Sequence, residues 1–66
     1  MLTGREKEVL ELICKGYTNP EIAEELCVSV HTAKAHVNSI IRKFNASNRT
    51  LVTYIAAKKN LIDFDV

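Results

Sequence analysis

Glycine, proline and tryptophan are scarce or missing in this chain of 66 residues, which has two Gly, one Pro and no Trp. So few chain breakers argue against a disordered or collagen-like chain. No apolar run approaches the roughly 20 residues that a membrane-spanning helix needs, and no signal peptide opens the sequence. Because 47% of the residues are apolar, the composition predicts one small packed domain over residues 1–66, with no membrane partner.

Cysteine is also sparse, and the two cysteines lack the spacing of a metal site. Twelve residues separate Cys14 from Cys27, so the short Cys-x2–4-Cys arm of a zinc finger is missing, although His31 and His36 follow. We expect no metal, and both cysteines to act as small apolar residues in a reducing cytoplasm. No nucleophile stands with a base and an orienting acid, and no glycine-rich loop could hold phosphate, so neither catalysis nor a cofactor is expected.

Carboxylates are absent from more than half of the chain. Residues 1–26 contain six acids and three bases, whereas residues 27–62 contain six bases and no acid. Chance segregation in a small protein could produce this asymmetry, but a long acid-free span is also typical of a surface that binds a polyanion.

What the chain does have is helical apolar spacing throughout, with no alternating segment that would indicate a strand. Four residues stand where helix N-caps are expected: Thr3, Thr18, Ser29 and Asn48. A glutamate follows three residues after each of the first two, which predicts two capping boxes. Gly16 and Asn60 fit left-handed helix ends, and residues 63–66 are expected to fray. The pattern predicts an all-α fold, a compact four-helix bundle.

Residues 18–44 predict two helices joined by a tight turn at Cys27 and Val28. The longer, second helix of this pair has an apolar stripe: Ala33, Val37, Ile40, Ile41 and Phe44. Its opposite face is small, polar or basic: His31, Lys34, Ala35, Asn38 and Arg42. A helix that is supported from behind and presents such a face suits a DNA major groove. His36 falls at the edge of the apolar stripe, where a half-buried structural role is favoured over a DNA contact.

The chain resembles the LuxR-type (also called FixJ/NarL-type) DNA-binding domain over residues 2–62. Four groups of residues carry the resemblance: Leu2, Thr3, Arg5, Glu6, Glu8, Val9 and Leu10; Gly16, Thr18, Asn19, Glu21, Ile22, Ala23 and Leu26; Ser29, Thr32, Lys34 and His36; Arg49 and Thr50. The resemblance implies a helix-turn-helix over about residues 19–38 and a recognition helix over about residues 30–43. Pro20 departs from the usual lysine and Ala33 from the usual valine.

The resemblance also implies residue roles in sequence-specific double-stranded DNA binding for transcription regulation. The positions that reach base edges correspond to Lys34, Ala35 and Asn38. Those better placed for phosphates are Asn19, His31, Thr32 and Lys43, although Thr32 could equally cap its own helix. A two-fold homodimer on two half-sites would use Thr50, Tyr54 and Ala57, although Tyr54 could instead cover the core. Both Glu6 and Arg49 are motif residues, and we expect them to lie near each other.

Relatives of this type usually carry the domain behind a receiver or sensor domain. We therefore expect an excised part of a cytoplasmic response regulator in preference to a rare stand-alone regulator, with RNA polymerase as a possible partner. Two other functions fit the sequence. One is a promoter reader like sigma-factor region 4, which also has a Glu-Ile-Ala helix-turn-helix. The other is a protein-interaction module that docks on the transcription machinery through the acidic first half.

Overall fold

The computed structural model describes residues 2–59, which form four helices and no strand. The helices are α1 (Gly4–Cys14), α2 (Asn19–Leu26), α3 (Val30–Lys43) and α4 (Arg49–Lys58). The long helix α3 packs against the other three, so the helix with the predicted DNA face is also the central support of the bundle. The predicted all-α fold is confirmed. The predicted helix end at Asn60 and the frayed residues 63–66 lie outside the described residues.

Local capping explains where the helices begin, and the four predicted N-caps are confirmed. At α1 the Thr3 hydroxyl accepts the Glu6 amide at 3.1 Å, and the Glu6 carboxylate accepts the Thr3 amide at 2.9 Å. The same reciprocal pair joins Thr18 and Glu21 at α2. Gly16 has φ +87°, the left-handed conformation that was predicted to end the first helix.

The turn between α2 and α3 is short, and the amides of both its residues are hydrogen bonded. Cys27 ends α2 in the left-handed conformation with φ 57°, and the Val28 amide donates to the Ala23 carbonyl at 3.0 Å. Cys27 is exposed, so the expectation that it packs as a small apolar residue is wrong, because this turn points its side chain to solvent. Cys14 is half-buried, and burial raises the pKa of its thiol.

The core is built from one face of each helix. Its buried apolar residues are Val9, Leu10, Leu12, Ile13, Ile22, Ala23, Ala33, Val37, Ile40, Val52 and Ala56. Tyr17 packs against this cluster at its edge, as predicted. Ala33 is completely buried, so its small side chain lies within the core.

Glu6 is the one buried charged residue among those described, and it ties α1 to α3. Its carboxylate accepts from the Lys43 ammonium and from the Ser39 hydroxyl, each at 2.7 Å. The prediction that Glu6 lies near Arg49 is wrong. Instead, the Arg49 guanidinium donates to Asn19 Oδ1 at 2.9 Å and to the Tyr17 carbonyl at 3.4 Å, because α4 begins beside the α1–α2 loop.

Acid should weaken the fold through Glu6. Hydrogen bonds from Lys43, the Thr3 amide and Ser39 lower the pKa of Glu6 from 4.5 to about 2. Since the folded-state pKa is depressed, the stabilisation is fully present above pH 4.5 and is lost as pH falls through about 2. The Glu6→Gln variant should be less stable at neutral pH and should lose less stability over that acid range, as measured by urea unfolding.

The matched control is Glu8→Gln, which removes an exposed carboxylate from the same helix. It should retain the acid response of the unchanged protein. If Glu6→Gln loses as much stability as the unchanged protein across the acid range, the carboxylate of Glu6 is not the group responsible.

Relieving the left-handed turn should stabilise the domain. A non-glycine residue in the left-handed conformation destabilises the folded state by about 1–2 kcal/mol. Glycine avoids this strain, but it loses more conformational entropy on folding, which cancels part of the gain. Because the exposed Cys27 side chain has little packing to lose, Cys27→Gly should raise the free energy of unfolding by about 0.5–1 kcal/mol. Cys27→Ser keeps the strained backbone and is the control in urea denaturation. Equal stability of the two variants would contradict the strain at this turn.

Candidate nucleic-acid interface

The outward face of α3 carries the three predicted base-contact residues. Lys34, Ala35 and Asn38 are all exposed, and helical spacing places them on neighbouring turns of one surface. The exposed side chains of His31 and Arg42 extend this surface toward the two ends of the helix. No residue of α3 is acidic, so a phosphate backbone approaching this face meets no carboxylate from the helix itself.

The first turn of α3 is organised by Ser29. Its hydroxyl oxygen accepts the Thr32 amide at 3.0 Å, and its proton is donated to the Thr32 hydroxyl at 3.0 Å. Thr32 therefore takes part in capping its own helix, which was one of the two roles considered for it from the sequence. Because its hydroxyl oxygen is an acceptor in this bond, the Thr32 proton stays available for another acceptor. Val30 begins the helix with 48% of its surface exposed.

The last turn of α3 places two basic residues in different surroundings. Arg42 is exposed. Lys43 forms the ion pair with Glu6, and 38% of its side chain is accessible. The structure therefore gives Lys43 a partner within the domain that sequence reasoning missed. The available signal was the spacing of Ser39 and Lys43, which lie on one face of α3 four residues apart.

Asn19, the predicted phosphate contact on the supporting helix, is the first residue of α2 and is half-buried. Its side-chain oxygen accepts from Arg49 at the start of α4. This contact joins residues 30 positions apart and brings a third helix to the helix-turn-helix motif. No local sequence signal predicts this contact, because neither capping nor helical spacing connects the two positions.

The predicted dimer residues lie on a separate surface, on α4. Thr50, Tyr54 and Ala57 are all exposed, and Tyr54 has 58% of its surface accessible, so it covers little of the core. The Lys58 ammonium lies 5.6 Å from the centre of the Tyr54 ring, within cation–π range. Val52 and Ala56, on the opposite side of the same helix, are completely buried.

The remaining polar candidates contribute little to a site. His36 is half-buried, as its spacing predicted. Within residues 2–59, no three histidine, cysteine, aspartate or glutamate side chains lie together as metal ligands. None of the four helices is long and apolar enough to cross a membrane.

The exposed acid-free face of a central helix, supported by a shorter helix across a tight turn, defines a helix-turn-helix domain of the DNA-binding class.

Known proteins agree with this class. The sequence profile of the family described as "GerE: Bacterial regulatory proteins, luxR family" matches residues 1–56. The chain is 48% identical over 64 residues to the "Oxygen regulatory protein NreC" of Staphylococcus carnosus, and 45% identical over 62 residues to the "Response regulator protein VraR" of Staphylococcus aureus. These alignments cover 97% and 94% of the chain but only 30% of each relative, so the chain spans less than a third of their length.

A solved structure has the same architecture. The structure described as "Structure of Transcription factor, GerE" superimposes with a TM-score of 0.86 at 28% identity, covering 97% of this chain and 96% of the other. The chain belongs to the luxR family of bacterial regulatory proteins and is a helix-turn-helix DNA-binding domain of a transcription regulator. This family is not one of enzymes.

Proposed function

We propose that this domain binds double-stranded DNA sequence-specifically by inserting α3 into the major groove. The observation that carries the proposal is the exposed, carboxylate-free face of a helix whose other side is buried in the core. A helix held in this way can enter a groove about 12 Å wide without losing its support. The promoter reader like sigma-factor region 4 is disfavoured, because the family match covers residues 1–56.

Three side chains on this face would read bases. Lys34 can donate to the O6 and N7 acceptors of guanine, and Asn38 can form a paired contact with adenine. Ala35 is small enough to allow close approach and can contact a thymine methyl group. All three are exposed, so none has to leave the core to reach the groove.

Four residues around this helix would contact phosphates and set its register. His31 and Thr32 lie in the first turn of α3, where the helix dipole and backbone amides favour an anion. Asn19 would contribute its side-chain amide from α2. A phosphate contact by Lys43 must compete with the ion pair to Glu6, so we assign it a smaller part than the exposed basic residues.

A homodimer on DNA would use the exposed face of α4. Thr50 and Ala57 are small and would permit close approach of two helices, with Tyr54 between them providing an amphipathic contact. One helix pair buries less than the 1,200–2,000 Å² of a typical stable interface, taken as an order-of-magnitude range, so the dimer should form mainly on DNA. Two half-sites would then receive two α3 helices.

The whole protein would be a response regulator. The relatives are named as an oxygen regulatory protein and a response regulator, and about 70% of their length lies outside the match. We therefore propose an N-terminal receiver or sensor domain, with contact to RNA polymerase as a further partner. The exposed glutamates of α2 (Glu21, Glu24 and Glu25) would suit such a protein contact without replacing DNA binding.

Base reading should depend on Lys34. Lys34→Ala should lower affinity for a preferred site, obtained by binding-site selection, by roughly 1–3 kcal/mol while changing random-sequence binding much less. Arg42→Ala removes one exposed charge from the same face and is the matched control, which should weaken both duplexes similarly. Titration at several salt concentrations should give a log–log slope of about −0.9 per neutralised phosphate. A salt-independent affinity would favour the protein-interaction module, and equal losses from Lys34→Ala on both duplexes would refute its base-reading role.

Cooperativity should depend on α4. Ala57→Glu places a charge in the proposed contact between two helices, and its exposure means that the fold should tolerate the change. We expect loss of cooperative binding to a duplex with two half-sites and unchanged binding to one half-site. Lys59→Glu, on an exposed position nearby, is the control for added negative charge. Cooperativity that survives Ala57→Glu would place the dimer contact elsewhere.

A further inference from the structure

Arg49 connects two helices that do not pack against each other. Within residues 2–59, α2 and α4 each contact α1 and α3, but they have no direct backbone packing between them. The Arg49 side chain spans this gap, with Nη1 at 2.9 Å from Asn19 Oδ1 and Nη2 at 3.4 Å from the Tyr17 carbonyl. The two nitrogens are therefore hydrogen bonded to Tyr17 and Asn19, the residues on either side of Thr18, which is the N-cap of α2.

The chemistry of this contact fixes the orientation of the Asn19 amide. A guanidinium group only donates hydrogen bonds, so the Asn19 atom that faces it must be the oxygen. The Nδ2 group is therefore turned away from Arg49. It has no hydrogen-bond partner among residues 2–59, and both of its protons remain available.

Three of the backbone positions that follow Asn19 in α2 offer no free amide to an approaching acceptor. Pro20 has no backbone N–H. The Glu21 amide donates to the Thr18 hydroxyl and the Ile22 amide to the Thr18 carbonyl. An acceptor approaching the beginning of α2 therefore depends more heavily on Asn19 than it would with a lysine at position 20.

We propose that Arg49 is a positioning residue for DNA binding, which holds the Asn19 amide with Nδ2 directed at a backbone phosphate. The proposal rests on the phosphate contact of Asn19 in the proposed function. Without Arg49, the amide would rotate freely and could present its oxygen, which repels a phosphate. Arg49 thereby links the helix of the proposed dimer contact to the supporting helix of the DNA-binding motif.

A double-mutant cycle on the 66-residue chain tests this role. Asn19→Ala, Arg49→Met and the double variant are titrated with a random-sequence duplex at fixed salt. Each single change should weaken binding on the order of tenfold, the usual effect of losing one hydrogen bond to a charged group. The double variant should be little weaker than either single variant, because both changes remove the same contact.

The matched control is Lys59→Met, which removes an exposed charge from the end of α4. In the Asn19→Ala background, Arg49→Met should weaken binding no more than Lys59→Met does. If Arg49→Met instead weakens binding equally with and without Asn19, Arg49 does not act through Asn19 and the proposal is wrong. Thermal unfolding of each variant separates a folding defect from a binding defect.

A measurement on the unchanged protein avoids any folding defect. The side-chain amide signals of Asn19, observed by 15N-correlated NMR, should shift when the duplex is added, and the absence of a shift would overturn the proposal. Failure of the proposed function is distinguishable, because the unchanged protein would then show no salt-dependent binding to any duplex. Failure of the Arg49 proposal alone would leave that binding intact and would remove only the coupling between Asn19 and Arg49.

Discussion

The carboxylate of Glu6 sets a constraint that the helices must satisfy together. A buried unpaired carboxylate is strongly unfavourable, so α1 can pack on α3 only in a register that brings donors to this group. The Lys43 ammonium, the Ser39 hydroxyl and the Thr3 amide provide them. One acidic side chain thereby completes the cap of α1 and fixes the position of α3, the helix proposed to enter the groove.

The central position of α3 lets its inner side form part of the core while its outer side presents exposed polar and basic residues. Its inner side is buried among α1, α2 and α4, so the core resists any rotation that would move Lys34 and Asn38 from the outer face. The buried alanine at position 33 keeps this inner side small. The chemical identity of the outer residues can therefore vary among family members without changing the core, which separates the specificity of such a domain from its stability.

Local rules predicted most of the fold. Capping residues and apolar spacing act within four residues of chain, so the four starts of helices and the residues of the outer α3 face follow from the sequence alone. The long-range partners of Glu6 and Arg49 did not follow from the sequence, because they depend on which helix ends meet in three dimensions. Glu6 and Arg49 were expected to lie near each other. Instead, Glu6 pairs with Ser39 and Lys43, and Arg49 pairs with Asn19, in each case across at least 30 positions of the chain. The exposed Cys27 was also missed, since a left-handed turn at a non-glycine residue has no clear sequence signal.

The two-residue turn at Cys27 and Val28 has a kinetic consequence. Both amides of the turn donate to carbonyls of α2, and Ser29 caps α3 immediately afterwards. The connection between the two helices is therefore conformationally restricted. The conformational entropy that is lost in fixing α2 relative to α3 is lost during folding, so it does not add to the unfavourable entropy of association. Under the proposed function, we therefore expect encounter with a duplex to be a rigid-body event, limited by diffusion, orientation and electrostatic steering and not by a conformational step within the motif.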